Sequence, residues 1–147
     1  MSRTEVVTLV DEVIQTLNER KVGYEKAAEQ IKNPEFAEKF IEYVAQSERF
    51  ALELLPYSDE ASSSEAGTGP LSAIHRAWMD IKAAVIGNEA KEVIDSCITG
   101  EEAAAKIYKG ILDITDLRTD LQIILRSQYG KISEAIGQLK AYKEQFN

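Results

Sequence analysis

Apolar residues recur at spacings of three, four and seven in five segments of this 147-residue chain. Such spacing places the apolar side chains on one face of an α-helix. Proline, which interrupts helices, occurs only three times. The pattern therefore predicts an all-α fold, and the length fits a single domain, residues 1-147, with one continuous apolar core.

The boundaries of the first two predicted helices are marked by their end residues. The first runs from Thr4 to Ile31. Asn33 then supplies an N-cap and Pro34 a favourable first helical residue, so a second helix begins there and ends near Pro56. Because the connection is so short, we expect these two helices to form an antiparallel hairpin.

The second half of the chain predicts another hairpin. Residues 57-70 are polar and predict a flexible linker, and residues 71-86 predict a short amphipathic crossover helix. Asn88 and Thr115 are candidate N-caps for the two long helices that follow. Four long helices in two hairpins, joined by a long crossover with a short extra helix, match a ferritin-like four-helix bundle.

A weak internal repeat supports this pairing. The run Gly23-Tyr24-Glu25, with Ala27-Ala28 after it, resembles Gly100-Glu101-Glu102 with Ala104-Ala105. The first and third long helices therefore look like corresponding helices of two related hairpins, in which small residues favour close helix contact. The alternative is a chance similarity between two helices rich in alanine and glutamate.

Charge and cysteine content restrict the partners and the setting. The net charge is -8, with 14 acidic and 7 basic residues up to Glu65. This charge disfavours nucleic acid, and no segment is apolar enough to cross a membrane. The acidic first half is either a solvated surface or part of a dimer contact. The lone Cys97 and the absence of a leader segment indicate a cytoplasmic setting.

A standard two-metal centre cannot be assembled from these residues. Ferritin-like centres use carboxylates on all four helices and a Glu-x-x-His pair on two of them. This chain has a single histidine, His75, in the predicted crossover helix. We therefore expect no metal cofactor and no catalytic residues.

Helical projection instead predicts a buried polar layer at the centre of the bundle. Glu101 lies in the middle of the third helix's apolar face, and a buried carboxylate must be paired or hydrogen-bonded. Its predicted partners are Lys21, Tyr24, Gln128 or a water among them, with Ser47 at the corresponding place on the second helix. Such a layer fixes the register of the helices; the alternative is a functional carboxylate.

The crossover segment carries a second group of noteworthy residues, His75, Arg76, Trp78 and Asp80. We interpret His75 as an interhelical hydrogen-bonding residue and Trp78 as a core residue that holds the crossover helix. Cys97 lies on a predicted buried face, where we expect it to act as a small apolar residue.

Several of these runs resemble an uncharacterised bacterial family of ferritin-like four-helix bundles, domain of unknown function 2383. The residues that carry the resemblance over nearly the whole chain are Gly23-Tyr24 with Ala27-Ala28, Pro34-Glu35, Phe50 with Glu53-Leu54, His75-Arg76-Ala77-Trp78-Met79-Asp80 with Lys82-Ala83-Ala84, Gly100-Glu101-Glu102-Ala103-Ala104, and Gln128-Tyr129. The resemblance implies the fold but no reaction. It also implies a histidine where this chain has Ile136 and an arginine near Ser47, and both departures disfavour metal binding.

The leading expectation is a non-enzymatic bundle that self-associates or binds a protein partner, with a stress response as the candidate process. The alternative is a metal-binding or redox protein that holds iron or manganese with Glu25, Glu48 and Glu101, beside Gln128. A third interpretation, a ligand pocket under the crossover helix, requires Trp78 to be partly exposed.

Overall fold

The computed structural model describes residues 1–58, residue 78 and residues 90–146. These ranges contain four long helices, one 3₁₀ turn and no strand, which confirms the predicted all-α class. The helices are α1 (Arg3–Gln30), α2 (Pro34–Leu54), α3 (Ala90–Leu112) and α4 (Thr119–Glu144), and the 3₁₀ turn is Leu55–Tyr57. The predicted linker from residue 59 onward, the crossover helix apart from Trp78, and the Asn88 cap lie outside the described residues.

Side-chain caps fix the starts of α1 and α2. The Ser2 hydroxyl accepts a hydrogen bond from the Glu5 amide at 3.1 Å, and the Glu5 carboxylate accepts one from the Ser2 amide, a reciprocal capping box. The Asn33 side chain accepts from the Glu35 amide at 2.9 Å, and Pro34 is the first helical residue. The predicted start of the second helix is therefore confirmed.

The predicted cap of the last helix is wrong. The helix begins at Thr119, four residues after Thr115, and no side chain caps it. Two tight turns precede it, in which the Ile114 amide donates to the Ile111 carbonyl and the Leu117 amide to the Ile114 carbonyl. These turns bring Leu117 into the core, where it is buried. Burial of that side chain outweighs the capping preference of a threonine.

The core consists of two apolar clusters. One, here called the aromatic cluster, includes Tyr24, Phe36, Phe40, Tyr43, Trp78 and Tyr142. The other, the aliphatic cluster, includes Val10, Leu17, Leu54, Leu121, Leu125 and Ile132. On α1, α2 and α3, buried polar residues separate the part of the helix in one cluster from the part in the other. They are Glu19 and Arg20 on α1, Ser47 on α2 and Glu101 on α3.

The helices pack in a chain of neighbours. Helix α1 lies against both α2 and α3, and α3 lies against α4. The α2 and α4 helices also meet, since the rings of Phe36 and Tyr142 have centroids 4.4 Å apart. Among the described residues, no helix combines the length and the apolar character that a membrane span requires.

Candidate functional site

A fully buried ion pair lies between the two clusters. The guanidinium of Arg20 on α1 donates from Nε to Glu101 Oε1 at 2.7 Å and from Nη2 to Glu101 Oε2 at 2.9 Å. Both side chains are 0% exposed. Two parallel bonds between a guanidinium and a carboxylate form the strongest and most directional geometry available to such a pair.

The remaining polar atoms of this pair are also satisfied. Arg20 donates from Nη1 to the Ser47 hydroxyl at 3.0 Å and from Nη2 to the Gln46 side-chain oxygen at 2.9 Å. The Tyr24 hydroxyl donates to Glu101 Oε2 at 2.7 Å. The Ser47 hydroxyl itself donates a hydrogen bond to the Tyr43 carbonyl at 2.8 Å. The network thus joins α1, α2 and α3 and leaves the buried charges well solvated by protein groups.

The electrostatics favour fixed protonation states over proton transfer. Burial alone lowers the pKa of Arg20, but the charge of Glu101 and the hydrogen bonds to it raise that pKa above its usual value. Burial, and then the charge of Glu101, raise the pKa of Tyr24. The same two causes raise the pKa of the buried Cys97 thiol. Arg20 therefore stays charged and both Tyr24 and Cys97 stay neutral near pH 7, so none of them is poised as an acid, base or nucleophile.

Gln128 belongs to a separate polar contact. Its amide donates to the Phe50 carbonyl and to the Glu53 carboxylate, each at 3.1 Å, and its oxygen accepts from the Tyr108 hydroxyl at 2.7 Å. These bonds connect α4 to α2 and α3. The residue is buried, but its hydrogen bonds go to partners other than Glu101.

The prediction that Lys21 reaches the centre is wrong, and the residue before it does so instead. Lys21 is about one-third exposed, with Nζ 3.7 Å from the carboxylate of Glu48 on the surface. Arg20 continues the spacing of Val13, Leu17 and Tyr24 along the buried stripe. That spacing is present in the sequence, but periodicity alone predicts that a charged side chain on an apolar stripe turns toward solvent.

The alternative metal set does not come together. Glu25 and Glu48 are exposed, whereas Glu101 is buried with both oxygens bonded to Arg20. Within residues 1–58, 78 and 90–146, no three histidine, cysteine or acidic side chains converge as metal ligands would. The described residues therefore do not fit a two-metal centre. His75, Arg76 and Asp80 lie outside the described residues.

Trp78 is 3% exposed, which contradicts the ligand-pocket interpretation that required it to be partly open. Its indole packs against Gly23 of α1 and Gly100 of α3. A Cβ atom built on either glycine would overlap ring atoms, with a separation of 2.5 Å from the indole at Gly100. Its ring also lies 5.1 Å from that of Tyr24, measured between centroids. The crossover residue is thus in direct contact with a tyrosine of the buried network.

Comparisons with known proteins add a family assignment. Neither the curated proteins nor the solved structures contain a significant match to the chain. One family model matches residues 5–113, which include nearly all of α1 and the whole of α2 and α3. The similarity found in this way does not reach Gln128 and Tyr129, contrary to the expectation that it covers nearly the whole chain. Since the match spans most of the sequence, the chain belongs to the family described as a domain of unknown function (DUF2383).

Proposed function

We propose that this chain is a ferritin-like bundle whose centre is closed by an internal ion pair, and that it works through its surface, by self-association or by binding a protein partner, without catalysing a reaction. The observation that carries the proposal is the bidentate pair of Arg20 and Glu101.

The order of the contacts supports two antiparallel hairpins. In the first, Tyr24 lies near Phe40 and Lys21 near Glu48, so positions that advance along α1 meet positions that recede along α2. In the second, Asp95 pairs with Lys143, Glu102 with Lys140, and Tyr108 with Gln128. Reversed order of this kind is the signature of antiparallel helices, and ferritin-like bundles combine two such hairpins.

The ion pair supports a role without metal. A cation at the bundle centre would need Glu101 as a ligand, yet the Arg20 guanidinium already neutralises that carboxylate and occupies both of its oxygens. A metal would have to displace a buried arginine, which would then lack a partner in a medium of low polarity. The positive charge that metals supply in related architectures is here part of the chain.

The same proposal includes the cellular location and the class of partner. A single cysteine, buried in the core, fits a reducing cytoplasm, and a net charge of -8 favours a protein partner over nucleic acid. The family resemblance favours a bacterial source.

Metal analysis of protein purified without chelators tests the proposal. We expect no stoichiometric iron, manganese or zinc in the wild-type chain. Glu101→Ala is the informative variant, and Glu102→Ala is its control because that neighbouring carboxylate is exposed and pairs with Lys140 at the surface. Stoichiometric metal that is lost in Glu101→Ala and retained in Glu102→Ala would overturn the proposal.

A further inference from the structure

The outer face of α2 carries two large apolar side chains in solvent. Ile41 is 59% exposed and Leu52 is 64% exposed. Two more exposed residues, Ala45 and Glu48, complete a row with spacings of four, three and four residues. That spacing is the a/d seam of a coiled coil, with Ile41 and Glu48 at d and Ala45 and Leu52 at a.

Of the other exposed large apolar side chains, Phe146 follows the end of α4, and Ile123 and Val22 lack such a row. Ile123 on α4 is 66% exposed, but the residues three before it and three and four after it are Asp120, Arg126 and Ser127. Val22 on α1 has Asn18 four residues before it and Glu25 three residues after it. Among the described helices, the α2 seam is therefore the face whose pattern fits a partner helix.

We propose that two copies of this chain associate through the outer faces of their α2 helices, packed antiparallel about a two-fold axis that passes between Ala45 and Glu48. This inference rests on the proposed function, for which it names the partner and the surface. In an antiparallel pair each a position faces a d position of the other helix. Ile41 of each copy then packs against Leu52 of the other. The small side chain of Ala45 leaves room for Glu48 of the other copy.

Charge complementarity supports a second copy as the occupant. Glu42 and Arg49 lie one heptad apart on the same flank of the seam, and in an antiparallel pair this flank faces its own equivalent. Glu42 of each copy therefore lies beside Arg49 of the other. Arg49 is exposed. Glu42 lies 3.1 Å from Lys39 of its own helix, but both side chains of this pair are exposed, so the pair is weak and leaves Glu42 free to turn toward Arg49 of the second copy. Glu48 lies 3.7 Å from Lys21 Nζ of its own chain, and this nearby positive charge would reduce the cost of placing the carboxylate in the seam.

Light scattering across a concentration series is the first test. We expect the wild-type chain to reach twice the monomer mass, and Ile41→Lys and Leu52→Lys to remain monomeric at the same concentrations. Ile123→Lys is the matched control, because it places the same charge at an equally exposed apolar position of α4; it should still dimerise. A monomeric wild-type chain, or dimers of unchanged affinity in both α2 variants, would overturn the inference.

Charge reversal tests the register. Glu42→Arg and Arg49→Glu each place like charges opposite each other at two symmetric places, so each single variant should dimerise about tenfold more weakly. An equimolar mixture of the two single variants regains both attractive pairs, one between the substituted residues and one between the native ones. We expect mixed dimers at near wild-type affinity. No preference for the mixed dimer would overturn the antiparallel register.

The two proposals fail in different ways. A monomeric wild-type chain without stoichiometric metal removes the α2 contact and leaves the surface-acting bundle. Metal that depends on Glu101 removes the proposed function, whatever the oligomeric state.

Discussion

Gly23 of α1 and Gly100 of α3 pack against the same indole ring, that of Trp78. They occupy corresponding positions of the internal repeat, and each directly precedes a residue of the buried network, Tyr24 or Glu101. The missing side chains provide the room in which the indole lies between two long helices. The repeat therefore has a physical meaning, since both copies contribute one glycine to a single packing site.

Substitution of either glycine by alanine should destabilise the fold. An alanine normally favours a helix by about 1 kcal/mol over glycine, but here its methyl group would overlap a rigid ring. We expect Gly23→Ala and Gly100→Ala to lower the free energy of unfolding by about 1–3 kcal/mol, measured by urea denaturation. Gly137→Ala is the control, because nothing lies within 4 Å of that position on α4. It should be neutral or stabilising, and an equal loss there would contradict the packing argument.

Removal of Glu101 should be among the most damaging single changes. Glu101→Ala leaves the buried Arg20 charge with only neutral acceptors, and breaking a buried pair in this way costs about 3–5 kcal/mol. Urea denaturation measures the loss. Glu102→Ala removes an exposed carboxylate 3.7 Å from Lys140, and its effect should stay within about 1 kcal/mol. Comparable losses in the two variants would show that burial of the pair is unimportant.

Removal of both charges should have a much smaller effect than removal of one. Apolar residues of similar size can replace a buried ion pair at little cost, or can stabilise by about 1–4 kcal/mol. We therefore expect the double variant Arg20→Met with Glu101→Leu to be at least as stable as the better of the two single variants. A double-mutant cycle gives the coupling energy. If the two single losses simply add, the residues do not act as a pair.

The sequence predicted the all-α class because helix periodicity and caps act locally. The Asn33 and Pro34 start of α2 needed only neighbouring residues. The start of α4 was not predicted correctly, because burial of Leu117 against distant helices determines where the connection from α3 ends. Local signals compete with tertiary packing at such turns, and packing prevailed.

The site was predicted only in part, for a related reason. Projection placed Glu101, Tyr24 and Ser47 inward, where the structure also has them. Projection favoured Lys21 as the positive partner, because adjacent residues are distinguished only by the idealised angle of about 100° between them around the helix axis. Arg20 lies one residue earlier along α1, and its long side chain reaches both Ser47 and Glu101. Such reach depends on the distances between helices, which periodicity does not contain.

Buried tyrosines should make the fold sensitive to alkali. Burial raises the pKa of Tyr24 above 10.0, its ordinary value, and the charge of Glu101 adds to this effect. Burial likewise raises the pKa of Tyr108. The unfolded chain therefore loses these protons at a pH where the folded chain still holds them. The contribution of these tyrosines to the free energy of unfolding is fully present below about pH 10. It falls as the pH rises toward their pKa values in the folded chain, by about 1.4 kcal/mol per pH unit for each such group.

Urea denaturation at a series of pH values compares the wild-type chain with Tyr24→Phe. At neutral pH the variant should be less stable by about 1–3 kcal/mol, because Glu101 Oε2 loses the hydroxyl that donates to it at 2.7 Å. Above pH 10 its stability should fall less steeply than that of the wild type, so the two curves converge. Phenylalanine has no hydroxyl proton at this position, so the variant lacks the Tyr24 contribution to the pH dependence of unfolding. Parallel curves would mean that the Tyr24 hydroxyl ionises equally in the folded and unfolded chains, which is incompatible with its burial beside Glu101.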